Sequence, residues 1–207
     1  LIQSSIKNLT TNDTKQSKNL KIRSNTSKSR FLEMVNKAKK YIKLGDIFQV
    51  VLSQRFEAKL IKKPLDIYKK LRVTNPSPFM FFFNFKDFQI IGASPEILVR
   101  LRDNKITVRP IAGTRPRGKS LNEDRYYEKD LLKDKKELSE HLMLLDLGRN
   151  DAGKVSKINT VKVTESFIIE KYSHVMHIVS NVIGKYDKKF SKFKSLLAGF
   201  PAGTVSG

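Results

Sequence analysis

The feature that most restricts the fold is a change of hydrophobic period near residue 75. Pro64 opens a short helix through about Thr74, and the stretch Asn75-Pro76-Ser77-Pro78 breaks it, because proline lacks an N–H and biases its predecessor away from helical dihedrals. Apolar segments then follow at 79–85, 88–93, 97–101 and 106–111, joined by short polar turns that include Lys86-Asp87 and Asp103-Asn104. Aromatic and β-branched runs separated in this way predict a meander of antiparallel strands. After a loop over 112–120 the helical period returns through Asp151, and a strand pair from about 155 to 185 and a short helix over 190–198 follow. Runs of strands followed by runs of helices predict an α+β fold, not a parallel doubly wound sheet.

Upstream, residues 31–44 have helical spacing (Phe31, Val35, Ala38, Ile42) and stop at Gly45. The run IFQVVLSQRFEA, 47–58, predicts a strand. Residues 1–30 are rich in Ser, Thr, Asn and Lys, with Asp13 the one acid, which predicts a flexible linker or surface excursion. With 207 residues and 39% hydrophobic content the chain suffices for one sizeable core, so a single domain or a large piece of one is expected, spanning residues 31–207.

The formal net charge of +21 would ordinarily direct attention to nucleic acid, through counterion release from phosphates. Lysine is spread through the whole chain, however, without an arginine stripe or aromatics at stacking spacing, so a lysine-biased surface is the expectation. There is no cysteine, hence no disulfide framework or thiolate metal site. The chain shows no signal peptide, and FMFFFNF is far too short to cross a bilayer, so a cytoplasmic protein without membrane contact is expected.

The richest chemistry lies in DKKELSEHLMLLDLGRND, from Asp134 to Asp151. At ~100° per residue, Glu137, Glu140, His141, Leu144 and Gly148 share a helical face. Two roles fit the acid pair: ion pairs with lysines on a wet helix, or a site for a metal or a proton. The lysines one turn away, Lys133 and Lys136, precede their glutamates, which is the poorer orientation for a helical pair. Gly113 to Ser120, GTRPRGKS, also satisfies the pattern of a phosphate loop. Such a loop needs consecutive backbone N–H groups around an anion; Pro116 has none, and the strands before Gly113 look antiparallel where that fold needs a parallel unit.

Taken in order, GDIFQVVLSQRF, NPSPFMFFF, ASPE, PIAGTRPRG, the acid-bearing helix, YSHVMHIVSNVIG and PAGTVSG closely resemble the chorismate-utilising enzymes, and among them component I of anthranilate synthase. The resemblance covers essentially all of residues 31–207. It implies an α+β fold built on a large antiparallel β-sheet sandwich with helices outside, chorismate as substrate, dependence on Mg2+, and a glutamine amidotransferase subunit supplying ammonia. Related enzymes that add water carry a lysine where this chain has Gln49, and aminodeoxychorismate synthases commonly carry a lysine nucleophile where it has Ala112. Gln49 with Ala112 therefore resembles direct attack of ammonia at C2, followed by loss of pyruvate. An aminodeoxychorismate synthase is the nearest enzymatic alternative, and a basic nucleic-acid-binding module is the alternative from another class.

By the same resemblance, Glu96 is the general acid for the C4 hydroxyl, and His177 assists pyruvate elimination. Glu140 ligates Mg2+, with Glu137 supporting it. Gly113, Thr114 and Thr204 contact substrate, while Arg115 and Arg117 either bind a carboxylate or brace their loop. Pro78, Phe79 and Met80 match a stretch lining a tryptophan feedback site. His174 and His141 are expected to be structural. The chain begins with Leu1 rather than Met and ends in FPAGTVSG, so a fragment is expected. Family members continue with a further Mg2+-binding glutamate, a substrate arginine and a glycine-rich loop, and the isolated chain is accordingly expected to be inactive.

Overall fold

The computed structural model describes residues 20–200, which divide between Pro95 and Glu96 into two compact units. In the first, β1 (Ile22–Ser24) pairs antiparallel with β2 (Phe56–Ala58), and α1 (Lys28–Leu44) lies between them in sequence. The helix starts at Lys28 rather than at residue 31 because Ser27 caps it, its Oγ accepting from the Arg30 N–H. Gly45, at φ 79°, ends it with its N–H on the Ile42 and Tyr41 carbonyls. The strand expected over 47–58 shrinks to Phe56–Ala58, since β1 offers only Ile22, Arg23 and Ser24 to pair with it. Gln49 therefore sits in irregular backbone.

The same unit holds α2 (Pro64–Thr74) and a hairpin of β3 (Phe79–Asn84) and β4 (Gln89–Ser94), in register from Phe79↔Ser94 to Asn84↔Gln89. Tyr68 of α2 meets Phe82 of β3 with ring centroids 5.7 Å apart. Aromatic crowding on the hairpin leaves Gly92 no room for a side chain: a Cβ built there falls 2.1 Å from the Phe81 ring.

The second unit is one antiparallel sheet of β5 (Arg100–Arg102), β6 (Lys105–Val108), β7 (Ile111–Pro116), β8 (Lys162–Lys171) and β9 (Val175–Lys185). β9 is its axis: β8 pairs along one edge, and β6 and β7 follow each other along the other. Asp103 and Asn104, at φ 51° and 55°, form the two-residue turn between β5 and β6, a conformation their short polar side chains tolerate. The loop expected over 112–120 is instead strand as far as Pro116, and this antiparallel setting removes the phosphate-loop reading.

α3 (Leu121–Leu131) and α4 (Lys135–Gly153) follow β7, and α5 (Lys192–Leu197) follows β9. Leu131, Met176 and Ile178 form one buried cluster; Ile106, Val108, Leu145, Ala152, Val155, Val182, Tyr186 and Ala198 form another. The α+β expectation holds, with every strand pairing antiparallel. Among the described residues, no helix is long and apolar enough to cross a membrane.

Candidate active site

β9 carries the site because its two faces do different work. Met176 and Ile178 pack on Leu131, and the Ser180 Oγ lies 2.7 Å from His141 Nε2 on α4, so this face is committed to the core. Alternation turns His177 the other way. There it stands opposite Thr114 of β7 and Glu170 of β8. Register slips between Ala112 and Thr114, leaving Gly113 as the extra residue of a β-bulge at φ 74°. Glycine is needed at that dihedral. A Cβ there would also come within 3.1 Å of Leu131 and 3.2 Å of Ile178.

The bulge aims the Gly113 carbonyl at His177, whose Nδ1 lies 3.0 Å from it and 3.0 Å from the Thr114 hydroxyl. Beside the imidazole stands Tyr172, ring edge to face at 5.5 Å between centroids. Its hydroxyl donates to Glu170 at 2.9 Å, and Glu170 is paired in turn with Arg109. Desolvation, reinforced by Glu170, pushes the Tyr172 phenol up to about 12, so it stays a neutral donor. Glu96 precedes β5 and feels Tyr172 electrostatically. Partial desolvation raises its carboxyl above the ordinary range, against an opposing hydrogen bond from the Ile111 N–H.

Glu137 and Glu140 sit on α4, whose first turn is capped by Asp134 accepting from the Lys136 and Glu137 N–H groups. A Cβ built on Gly113 would lie 3.4 Å from the Glu137 Cβ, so that acid is carried on the side of α4 nearest the bulge. Lys136 stands 3.8 Å from it and is 82% exposed, a loose pair that holds the carboxylate weakly. Two carboxylates at i and i+3 fit part of the all-oxygen donor set of Mg2+. No group of three potential ligands occurs among the described residues. His141 does not join the acids: it is fully buried, edge-on to Phe167 at 4.8 Å, and desolvation lowers its pKa to about 4.

The two arginines at the strand end are held by ion pairs within the chain. Arg115 pairs with Asp130 at 2.6 Å and Asp134 at 2.8 Å, which ties β7 to the ends of α3 and α4. Arg117 clamps Asp124, with contacts of 2.7 to 3.1 Å, and donates to the Tyr172 carbonyl at 2.6 Å. That clamp, with the Gly118 N–H, holds the Asp124 carboxyl down at about 2. His174 lies in the turn before β9, exposed, and its carbonyl accepts from the Arg117 N–H.

The structure thus gathers His177, Gly113 and Thr114 in direct contact, with Glu96 in the electrostatic reach of their neighbour Tyr172 and Glu137 at the bulge. Gln49, Pro78, Phe79 and Met80 belong to the first unit, where Phe79 and Met80 open β3. Thr204 lies outside the described residues. Sequence reasoning missed Tyr172, Glu170 and Arg109; the available signal was that Tyr172 opens the YSHVMH motif and Glu170 stands two residues before it, the spacing of one strand face.

Comparison with known proteins supplies the context. Anthranilate synthase component 1 of Cereibacter sphaeroides is 64% identical over 186 residues, which are 90% of this chain and 37% of that protein. The namesake from Aquifex aeolicus is 54% identical over 185 residues, 89% of this chain and 37% of its own length. The crystal structure of anthranilate synthase component I from Streptococcus pneumoniae superposes with a TM-score of 0.82 at 44% identity, covering 91% of this chain and 41% of that one. The chain therefore spans well under half of these relatives. Residues 2–207 match the family described as chorismate binding enzyme, and the chain belongs to that family.

Proposed function

We propose that the full-length protein is component I of an anthranilate synthase, converting chorismate and ammonia to anthranilate and pyruvate for tryptophan synthesis in the cytoplasm. Ammonia would come from glutamine through an amidotransferase subunit; the component naming of the relatives supports a partner subunit. The observation that carries this proposal is the β7–β9 cluster of His177, Gly113 and Thr114, whose neighbour Tyr172 feels Glu96 electrostatically, in a chain so similar to named synthases. Ala112 favours it over aminodeoxychorismate synthesis, because a methyl group has no amine with which to attack the ring.

The chemistry follows from the side chains. A C4 hydroxyl leaves poorly unless protonated, and a carboxyl raised by desolvation keeps its proton nearer to neutral pH, which suits Glu96 as general acid. Gln49 has no basic nitrogen with which to activate water, in keeping with ammonia as nucleophile. His177 assists the later elimination of pyruvate, and Gly113, Thr114 and Thr204 contact the substrate. Glu140, supported by Glu137, would hold Mg2+, which when bound supplies positive charge for the C1 carboxylate. Pro78, Phe79 and Met80 would line a tryptophan feedback site.

Glu96→Gln tests the assignment in the full-length protein supplied with chorismate, Mg2+ and ammonium. Anthranilate fluorescence should fall by ~100-fold or more with the unfolding midpoint retained. Turnover at the wild-type rate would remove Glu96 from the mechanism.

A further inference from the structure

We propose that Tyr172 is a positioning residue for His177, and that with the Gly113 carbonyl it holds the imidazole as the tautomer protonated on Nδ1, so that Nε2 faces the substrate as the base. The role of His177 in elimination rests on the function proposed above; the tautomer rests on geometry alone. A carbonyl oxygen can only accept, so the 3.0 Å contact between Gly113 O and His177 Nδ1 requires the proton to be on Nδ1. Thr114 Oγ1, also 3.0 Å from Nδ1, accepts a second branch of the same N–H. In the neutral ring a proton on Nδ1 leaves the lone pair on Nε2, as when a fixed hydrogen bond at one ring nitrogen decides the state of the other.

Tyr172 keeps the ring from turning over. Its edge packs on the imidazole at an interplanar angle of 65°. Its hydroxyl is anchored on Glu170, which Arg109 holds by an ion pair and which stands directly opposite His177 on β8. Its backbone is pinned as well: the N–H donates to the Val175 carbonyl at 2.8 Å, and its own carbonyl accepts from Arg117. No member of this chain of contacts needs to touch the substrate.

The elimination explains why the tautomer matters. The aminated intermediate loses a proton from C2 as the C3–oxygen bond breaks; the side chain departs as enolpyruvate, which becomes pyruvate, and the ring becomes aromatic. Nε2 with its lone pair can take that C2 proton, whereas the other tautomer would present an N–H there and a ring turned over would present the Cε1–H, and neither could take it. Amination precedes this step and does not require it.

Two readouts in the full-length protein test the proposal. With 15N-labelled histidine, the His177 signals, assigned by their loss in His177→Gln, should show a pyrrole-type Nδ1 and a pyridine-type Nε2; the reverse assignment overturns it. Tyr172→Phe keeps the ring and removes the anchor on Glu170. The fraction of consumed chorismate that ends as the aminated compound still bearing its enolpyruvyl side chain should rise ~10-fold, the scale of a misplaced general base. An equal fall in both steps with an unchanged product ratio would make Tyr172 merely structural and overturn its part. Should Tyr172→Phe fail to fold, Glu170→Gln, which weakens the hold of Arg109, is read in the same way. A wild-type protein that makes no anthranilate would defeat the proposed function while leaving the tautomer measurement to decide this inference.

Discussion

Between Ile106 and Gly199 side chains pack to full burial, whereas residues 20–95 bury none. The difference is not one of composition. The first unit has Phe79, Phe81, Phe82, Phe83, Phe85 and Phe88 within ten residues, more aromatic surface than the second unit places in either of its clusters. Among the described residues α2 is the element that lies against the hairpin, and it covers too little to bury those rings. β3 and β4 form a hairpin of two strands, which is marginal alone, while β9 has strands on both edges and α4 across one face. Hydrophobicity becomes a core only where topology supplies a second surface. The catalytic proposals on β7 and β9 therefore stand on the better packed half.

The largest expected effect tests that contrast directly. Ile178 is fully buried in the cluster under the Gly113 bulge, so Ile178→Ala in the full-length protein should cost ~2–5 kcal/mol in denaturant unfolding. Phe83, 52% exposed on the hairpin, should cost clearly less when cut to alanine, despite its greater size. Equal losses would show that this face of the hairpin is covered by chain outside residues 20–200, and the contrast would be broken.

A second, smaller effect separates the ion pairs of the two units. In the second, Asp124 is clamped by Arg117 and has its carboxyl held at about 2, below the value of about 3.9 for an unfolded aspartate. The folded state binds this proton less readily than the unfolded one, so the stabilisation is full above the unfolded value and is lost as pH falls from about 4 toward about 2. Wild type should lose stability over that window more steeply than Asp124→Asn, seen as converging denaturant midpoints. In the first unit Arg30 and Glu33 are 68% and 64% exposed, and such a pair contributes ~0–1 kcal/mol. At pH 7 Glu33→Gln should lower the denaturant midpoint by clearly less than Asp124→Asn does; equal losses would sink the distinction.

How much of this was legible in the sequence depended on whether the deciding partner was local. Gly45 and Asp103-Asn104 announce a helix end and a hairpin turn, because the backbone conformation needed there favours those residue types. The α4 helix was equally plain, down to its acid-bearing face. The run over 47–58 misled, since β-branched and aromatic residues favour a strand but cannot supply the edge it pairs with. Residues 112–116 misled in the other direction: Gly113 and Pro116 suggest a loop, yet a bulge absorbs the glycine and the proline falls at the strand end. Arg115 and Arg117 look like carboxylate binders until the fold brings Asp124, Asp130 and Asp134 to them. Arg109 and Glu170 are 61 residues apart, and nothing in either neighbourhood announces the other.

The smallest effect sharpens the comparison because it holds chemistry constant. Ser27 caps α1 and Ser120 caps α3 in the same way, each Oγ accepting at 3.2 Å from the N–H three residues on. Replacing either with alanine should weaken its helix by ~1 kcal/mol. The consequence should differ, since α3 buries Asp124 and Leu131 whereas α1 buries no residue. A docked helix shares its loss with the whole unit, so Ser120→Ala should lower the global unfolding midpoint. A helix that fully buries no side chain among the described residues opens more readily by itself, so Ser27→Ala should speed amide hydrogen exchange within the first turns of α1 and leave the global midpoint nearly unchanged. If Ser27→Ala moves the midpoint as far as Ser120→Ala does, α1 unfolds together with the core, and the absence of buried side chains on it is no guide to its cooperativity.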